Sequence, residues 1–169
     1  MAIGLDDVVA AETALSDVDG LAGRLIIRGY SLDQLVGHES AEGVLGLLLD
    51  GMFDKTPSPL DLGNARVAIF QRFASSLTKF ADVPPYDAVR AAVALLPDDD
   101  SLQTALLLVA APAVIVPALL RLRSGLAAIA PDAHLSHAAD IRRMLNGRSA
   151  TPPKIAGRDR YLVTVADHG

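Results

Sequence analysis

The sequence predicts a mainly α fold with a small β-hairpin at its N-terminus. Residues that cap helix N-termini recur from Ser31 onward, and apolar residues recur between them at helical spacing. The turn-rich segment 16–23, followed by the β-branched run Leu25-Ile26-Ile27, predicts the hairpin. At 169 residues the chain has the length of one ordinary domain.

Composition and charge exclude several classes of function. Fifteen Lys and Arg against twenty Asp and Glu give a net charge of −5, which disfavours nucleic acid and anionic membranes as partners. No cysteine is present, so thiolate nucleophiles and Cys-zinc sites are excluded. The N-terminus lacks a basic segment followed by a long apolar one, so we expect no secretory signal and a cytoplasmic location. Hydrophobic residues make up 51% of the chain, which indicates apolar surface that is covered by something else.

The first thirty residues are predicted to form the hairpin. Its two arms are the segments Val8–Leu15 and Arg24–Arg28, and they flank a turn at Ser16–Gly23. Asp and Gly supply the backbone conformations that such a chain reversal needs. We therefore expect an N-terminal hairpin segment over residues 1–30 and a helical part over residues 31–169.

Three helix starts are predicted in the next part of the chain. Ser31-Leu32-Asp33-Gln34 is a capping box, and Ser40 caps a helix that ends at Gly51. Ser58-Pro59-Leu60-Asp61 combines a cap, a proline at the first helical position and an acid in the first turn, so a long helix follows it. The predicted apolar stripe of that long helix consists of Leu62, Ala65, Ile69, Phe73 and Phe80.

Two further helices are predicted around a central apolar run. The chain breaks at Pro84-Pro85, and a helix follows to about Leu96. The acids and the cap in Asp98-Asp99-Asp100-Ser101 start the next helix. Its uncharged run Ala105–Leu120 is short for a membrane span and contains two prolines, so it predicts a buried, kinked helix.

The C-terminal part is predicted to hold two more helices. One extends from His134 to Asn146 and ends on Gly147. The other begins at Thr151-Pro152-Pro153 and continues to the chain end.

Most catalytic signatures are missing from this sequence. It contains no phosphate-binding loop, no dinucleotide-binding glycine motif, no nucleophile elbow and no H-E-x-x-H motif. His134, His137 and Asp140 have a spacing that permits a metal, but capping and surface roles explain them better, so no metal site is predicted.

Two polar clusters remain as candidates for binding. Arg142 and Arg143, with Arg148, suit a phosphorylated ligand such as the nucleotide end of coenzyme A, although a solvated helix face with cations near its C-terminus is the favoured interpretation. Asp167 precedes His168, and a carboxylate beside an imidazole can fix its tautomer. Adjacent residues do not face each other on a helix, so spacing alone does not decide the role of this pair.

Three stretches of the chain resemble bacterial citrate synthases. Residues 11–20, Ala-Glu-Thr-Ala-Leu-Ser-Asp-Val-Asp-Gly, with residues 23–30, are similar to the N-terminal hairpin of the family. Residues 135–140 and 144–147, Leu-Ser-His-Ala-Ala-Asp and Met-Leu-Asn-Gly, resemble the helix before its active-site region. Residues 161–169, Tyr-Leu-Val-Thr-Val-Ala-Asp-His-Gly, resemble the helix that carries an oxaloacetate-binding histidine. The fold implied is therefore part of a citrate-synthase-like helical large domain.

The resemblance also implies an activity. Members of the family join the acetyl group of acetyl-CoA to oxaloacetate and release citrate and CoA; the resemblance implies a homodimer and no covalently bound cofactor. It assigns His168 as an oxaloacetate contact. The family's catalytic aspartate and its Gly-Pro-Leu-His-Gly-type histidine loop do not occur in this sequence, so no catalytic residue and no small domain are expected here.

Three functions therefore stay open at this point. The first is the N-terminal portion of a citrate synthase-type acyltransferase, inactive until a complementing C-terminal half is present. The second is the equivalent portion of a methylcitrate synthase that uses propionyl-CoA. The third is a non-catalytic helical oligomerisation or regulatory module.

Overall fold

The computed structural model describes residues 13–167. Within that range the fold is mainly α with one small antiparallel sheet, as the sequence predicts. The strands are β1 (Ser16–Asp19), β2 (Arg24–Ile27) and β3 (Tyr30–Ser31). The helices are α1 (Leu32–Leu35), α2 (Ala41–Leu49), α3 (Pro59–Phe73), α4 (Pro85–Val93), α5 (Leu102–Arg123), α6 (His137–Asn146) and α7 (Pro152–Thr164), with a short 3-10 helix at Leu77–Phe80.

The N-terminal hairpin is present, but its first arm differs from the prediction. The antiparallel register pairs Ser16 with Ile27 and Asp19 with Arg24, so β1 lies inside the segment that we predicted as a turn. The Asp19 side chain accepts a hydrogen bond from the backbone N–H of Ala22 at 2.9 Å, which closes the reversal within a few residues. Of the predicted arm Val8–Leu15, residues 8–12 lie outside the described residues and residues 13–15 form no strand.

The sheet is tied to α2 through Arg28. This residue has a positive φ of 49° and lies between β2 and β3. The two strands pair across the predicted boundary at residue 30, because Ser31 pairs with Ile26. Its guanidinium donates to the carbonyls of Leu47 (3.1 Å) and Asp50 (2.6 Å), which lie at the C-terminal end of α2. The two-part division at residue 30 itself stays a prediction.

The predicted N-terminal caps form where the sequence places them. The Ser40 hydroxyl accepts from Gly43 N–H at 3.0 Å, and the Ser101 hydroxyl accepts from Thr104 N–H at 3.1 Å. Asp61 accepts from the backbone N–H and the hydroxyl of Ser58, and these bonds hold the pKa of Asp61 below its ordinary value. Each cap satisfies N–H groups that have no partner within the helix.

Three predicted helix bounds are wrong. The helix α3 ends at Phe73, so Phe80 lies in the 3-10 helix, partly buried against the same core. The serines after Phe73 favour turns over helix, and Ser76 N–H donates to the Phe73 carbonyl at 2.8 Å. The helix α6 begins at His137 and not at His134, because Ser136 is its cap. The helix α7 ends at Thr164, before the end of the described residues.

Two apolar clusters form the core. The larger one joins α3, α4 and α5 with Met144 of α6, and α5 lies at its centre. Between residues 13 and 167, α5 is the one helix that is long and apolar enough to cross a membrane by composition, but 56% of its most apolar window is buried in this fold. A core helix meets that same criterion, and half of the residues of α5 are buried, so its predicted burial is confirmed, whereas its predicted kink stays a prediction. The smaller cluster joins Ile27, Leu35, Val44 and Val163.

Candidate functional site

Helix α7 ends at Thr164, three residues before the first residue of the predicted Asp167-His168 motif. Val163, one of its last residues, is fully buried in the smaller core cluster. Asp159 accepts a hydrogen bond at 3.0 Å from the backbone N–H of Ala41, the first residue of α2. A carboxylate at a helix N-terminus is favoured by the helix dipole, so this bond fixes α7 against α2.

The chain after α7 closes one side of an apolar cavity of about 320 Å³. Val165 and Ala166 line this cavity. The next residue, Asp167, has its Oδ2 atom buried without a hydrogen-bond partner among residues 13–167. His168, which the sequence predicts to contact oxaloacetate, lies outside the described residues, so its role stays a prediction.

The cavity is lined almost wholly by apolar side chains. They come from α2, α3, α5, α6 and α7, and include Leu45, Leu62, Pro112 and Ile141. Among residues 13–167, the one titratable residue in its lining is His137, at the start of α6.

A buried arginine organises the base of the site. The Arg66 side chain is fully buried, and its Nε donates to Asp140 Oδ2 at 3.0 Å. Its Nη2 donates to the carbonyls of Asp132 (3.1 Å) and Leu135 (2.7 Å). Asp140 is also fully buried and accepts from Arg143 at 2.7 Å and 3.0 Å. The pair thus joins α3 to α6 and to the loop that precedes α6.

His137 is held neutral within this network. Its Nδ1 lies 3.2 Å from Arg66 Nη1, and its backbone N–H donates to Glu42 Oε1 at 2.5 Å. Burial, and then the positive charge of Arg66, lower the pKa of His137 to about 4. Since a guanidinium only donates, Nδ1 must accept, and the proton is therefore on Nε2.

These hydrogen bonds account for His137 and Asp140 without a metal, which was the alternative role for His134, His137 and Asp140. His134 is exposed and precedes the helix, whereas both Asp140 oxygens accept from guanidinium groups. Within the part of the chain that the structure describes, no cluster of three His, Asp or Glu side chains is arranged to hold a metal. Sequence reasoning missed Arg66, although it lies one turn after Leu62 and one before Ile69, inside the predicted apolar stripe of α3.

The neutral His137 predicts a pH dependence of stability. Its folded pKa of about 4 lies below the ordinary value of 6.5, so the unfolded chain binds a proton between these pH values and the folded chain does not. The free energy of unfolding is therefore expected to fall by about 3 kcal/mol from pH 7 to pH 4 through this group. Urea unfolding at a series of pH values measures it.

His137→Leu tests this assignment, and His134→Leu is the matched control at an exposed position. The His137 variant is expected to lose most of the slope between pH 6.5 and pH 4, whatever its absolute stability, while the control keeps it. An unchanged slope in His137→Leu would show that this ring is not the titrating group.

The predicted basic cluster is divided by the structure. Arg143 turns inward to Asp140 and to the carbonyl of Ala130. Arg142 and Arg148 instead line a surface groove between α6 and α7. The acidic run Asp98–Asp100 has the predicted capping role, because Asp99 accepts from Ser101 N–H at 2.9 Å.

The architecture described above is that of the helical part of citrate synthases. The citrate synthase of Thermotoga maritima MSB8 superposes with a TM-score of 0.82 at 20% identity, over 98% of this chain and 46% of that one. The enzyme from Pyrobaculum aerophilum superposes with a TM-score of 0.75 at 26% identity, over 97% of this chain and 46% of that one.

The sequence match specifies the family. The family model described as "Citrate synthase, C-terminal domain" matches residues 4–169, so the chain belongs to the citrate synthase family. Citrate synthases of Haloferax volcanii and Acidithiobacillus ferridurans are 30% and 32% identical over 98% of this chain and 48% of their own length. A 2-methylcitrate synthase of Mycobacterium tuberculosis is 31% identical over 98% of this chain and 45% of its own length.

The chain spans about half the length of the curated relatives it matches. That it represents the N-terminal portion stays a prediction from the motif resemblance.

Proposed function

We propose that this chain is the N-terminal, oxaloacetate-binding portion of a citrate synthase-type acyltransferase. The family match over residues 4–169 carries the proposal. It is supported by a relative from Thermoplasma acidophilum, whose structure is a ternary complex with carboxymethyl coenzyme A and oxaloacetate. That structure superposes with a TM-score of 0.68 at 22% identity, over 96% of this chain and 46% of that one.

In this proposal α7 positions His168 for oxaloacetate. The Asp159 bond to Ala41 and the buried Val163 fix the direction of the helix just before the motif. An imidazole N–H can donate to a carboxylate or a keto oxygen of a dicarboxylic acid, so a histidine there suits the substrate. The apolar cavity that Val165 and Ala166 line lies beside the residues that precede the motif.

In this proposal the remaining catalytic groups belong to the half of the family's sequence that this chain does not span. The aspartate base and the enol-stabilising histidine that the resemblance implies belong to that half. Exposed apolar side chains on α5, including Leu108, Val109 and Leu120, offer a surface for it or for a homodimer. A cytoplasmic location and acetyl-CoA as the co-substrate are part of the same proposal.

Oxaloacetate binding by the purified chain tests the role of His168. We expect calorimetry to detect binding, and His168→Ala to weaken it about tenfold through the loss of one hydrogen bond to a charged ligand. His134→Ala, which removes an exposed histidine, is the matched control and is expected to bind normally. Equal affinity in the two variants would contradict the assignment of His168.

Release of CoA thiol tests the division of the chemistry. The chain alone is expected to show no turnover with acetyl-CoA and oxaloacetate, and turnover is expected when a synthase C-terminal half is supplied. Turnover by this chain alone would contradict the proposal.

The two alternatives give different results in the same assay. The similarity to a 2-methylcitrate synthase favours propionyl-CoA as the second candidate substrate, so faster thiol release with propionyl-CoA would select that function. A well-defined dimer with cooperative melting, without oxaloacetate binding or activity in any mixture, would instead select the non-catalytic module.

A further inference from the structure

The apolar cavity beside the end of α7 has an open side and a closed side. The exposed members of its lining include Val109 on α5 and Val165 after α7. The buried members are Leu62 on α3, Ala113 on α5 and His137 on α6. A small molecule can therefore enter past the two valines and reach a floor that is part of the protein core.

The floor of the cavity holds one hydrogen-bond donor without a partner. His137 is 6% exposed, and its Nε2 carries the proton because Nδ1 accepts from Arg66. Among residues 13–167, no hydrogen bond involves this Nε2 atom. The unpartnered side-chain atoms of that range that are sealed from solvent are Arg142 Nε and Asp167 Oδ2, and His137 Nε2 is not one of them. The Nε2–H group is therefore open to the cavity that the ring lines.

Water is a poor partner for this donor. A buried water is held by two to four polar groups, whereas every other side chain from residues 13–167 that lines the cavity is apolar. A buried donor that stays unpaired costs about 1–3 kcal/mol. A molecule with an apolar body and one acceptor atom satisfies the donor and also removes apolar surface from water. The cavity therefore favours such a molecule over water.

The charges around the cavity favour a neutral ligand. Arg66, which holds the His137 ring, is already paired with Asp140 at 3.0 Å. An anion would find no free cation in the lining and would lie near Asp167, which directly follows two lining residues and carries the same charge. A cation is disfavoured because the polar atom that the ring offers is a donor. A neutral acceptor such as a carbonyl oxygen fits this arrangement.

The volume of the cavity limits the size of the ligand. A protein cavity of about 150 Å³ with apolar walls binds benzene. The cavity next to α7 measures about 320 Å³, so it suits a molecule of roughly twelve non-hydrogen atoms.

We propose that this cavity binds a small neutral molecule of that size, with an apolar body and one carbonyl oxygen. The oxygen accepts a hydrogen bond from His137 Nε2–H, and the body packs against Leu62 and Ala113. The proposal does not involve His168, so it does not rest on the proposed acyltransferase function.

A pair of probe compounds tests the proposal. 1-Tetralone has the required size and one carbonyl oxygen, and tetralin is the same bicyclic body without the oxygen. Ligand-observed NMR titration of the full chain is expected to show binding of both, with 1-tetralone bound about tenfold more tightly. 1-Tetralone is also expected to shift the side-chain ¹⁵N resonance of one histidine, which is assigned to His137 by its loss in His137→Leu. 2-Naphthoate, an anion of similar size, is expected not to bind.

Two variants separate the hydrogen bond from the space. His137→Leu is expected to remove the preference for 1-tetralone over tetralin, whereas His134→Leu, at an exposed position, is expected to keep it. Ala113→Leu fills the cavity and is expected to weaken both compounds by about tenfold or more. Ala91→Leu, the same substitution at an exposed position of α4, is the matched control and is expected to bind both normally. Circular dichroism verifies that each variant is folded.

Three results would overturn the proposal. The first is no binding of 1-tetralone by the unmodified chain, or equal weakening by Ala113→Leu and Ala91→Leu. The second is a preference for 1-tetralone that persists in His137→Leu, since the carbonyl oxygen would then have another partner. The third is binding of neither compound together with a dimer that Ala113→Leu dissociates on size-exclusion chromatography, since a second copy of the chain would then occupy the cavity.

Discussion

Asp140→Ala is expected to lower the free energy of unfolding by about 3–5 kcal/mol, because it leaves the fully buried Arg66 charge without its partner. That loss is a large fraction of the roughly 5–15 kcal/mol by which domains are usually stable. It also frees Arg143 and removes an acceptor for Asp132 N–H. Urea unfolding followed by circular dichroism at pH 7 measures the change.

The control for this effect is Asp87→Ala, which breaks an exposed ion pair with Arg90 at 3.7 Å. Exposed pairs contribute about 0–1 kcal/mol, so little change is expected. The double variant Arg66→Met with Asp140→Leu removes both buried charges and is expected to be more stable than Asp140→Ala. If it is no more stable, the cost is not that of an unpaired buried charge.

Gly63→Ala is expected to destabilise the protein by about 2–3 kcal/mol through overpacking. A Cβ at this position of α3 would lie 2.1 Å from the carbonyl oxygen of Ala133 and 2.9 Å from its Cα. These are backbone atoms, so the clash is relieved only if the loop before α6 moves away from α3. That loop carries the Asp132 and Leu135 carbonyls that bind Arg66, so its movement also weakens the buried network.

Gly157→Ala provides the matched comparison, since it is the same substitution inside another helix. A Cβ there meets no atom of the described part of the chain within 4 Å, so the better helix propensity of alanine is expected to stabilise the chain by about 0.5–1 kcal/mol. Changes of the same sign in the two variants, measured by urea unfolding, would show that the close approach of Gly63 to Ala133 is absent in solution.

The features that the sequence predicted well depend on residues close together in the chain. The caps at Ser40, Ser58 and Ser101 involve partners three residues away, so one helical turn of sequence contains all the information needed. Strand β1 was misplaced because Asp and Gly were interpreted as turn residues. Pairing with β2 makes Asp17 and Asp19 part of the sheet, and Arg24 lies near both of their carboxylates.

The candidate site was predicted only in part, because most of it depends on distant residues. The motif resemblance predicted helix α7, whereas His168 itself lies outside the described residues and its role stays a prediction. The bond between Arg66 and Asp140 joins positions 74 residues apart, and no local pattern specifies such a partner. An arginine within an apolar stripe is a signal that a buried partner must exist, but it does not identify the partner.

By itself, the sequence determined the helical class, most of the helix starts and the family to which the chain belongs. Capping, proline placement and apolar spacing act within one or two helical turns and therefore remain visible in the linear order of residues. Only the tertiary structure decided that Gly63 must lack a side chain, that His137 stays neutral and that this histidine lines an apolar cavity. Each of these depends on segments that become neighbours through packing, where burial and charge act across space rather than along the chain.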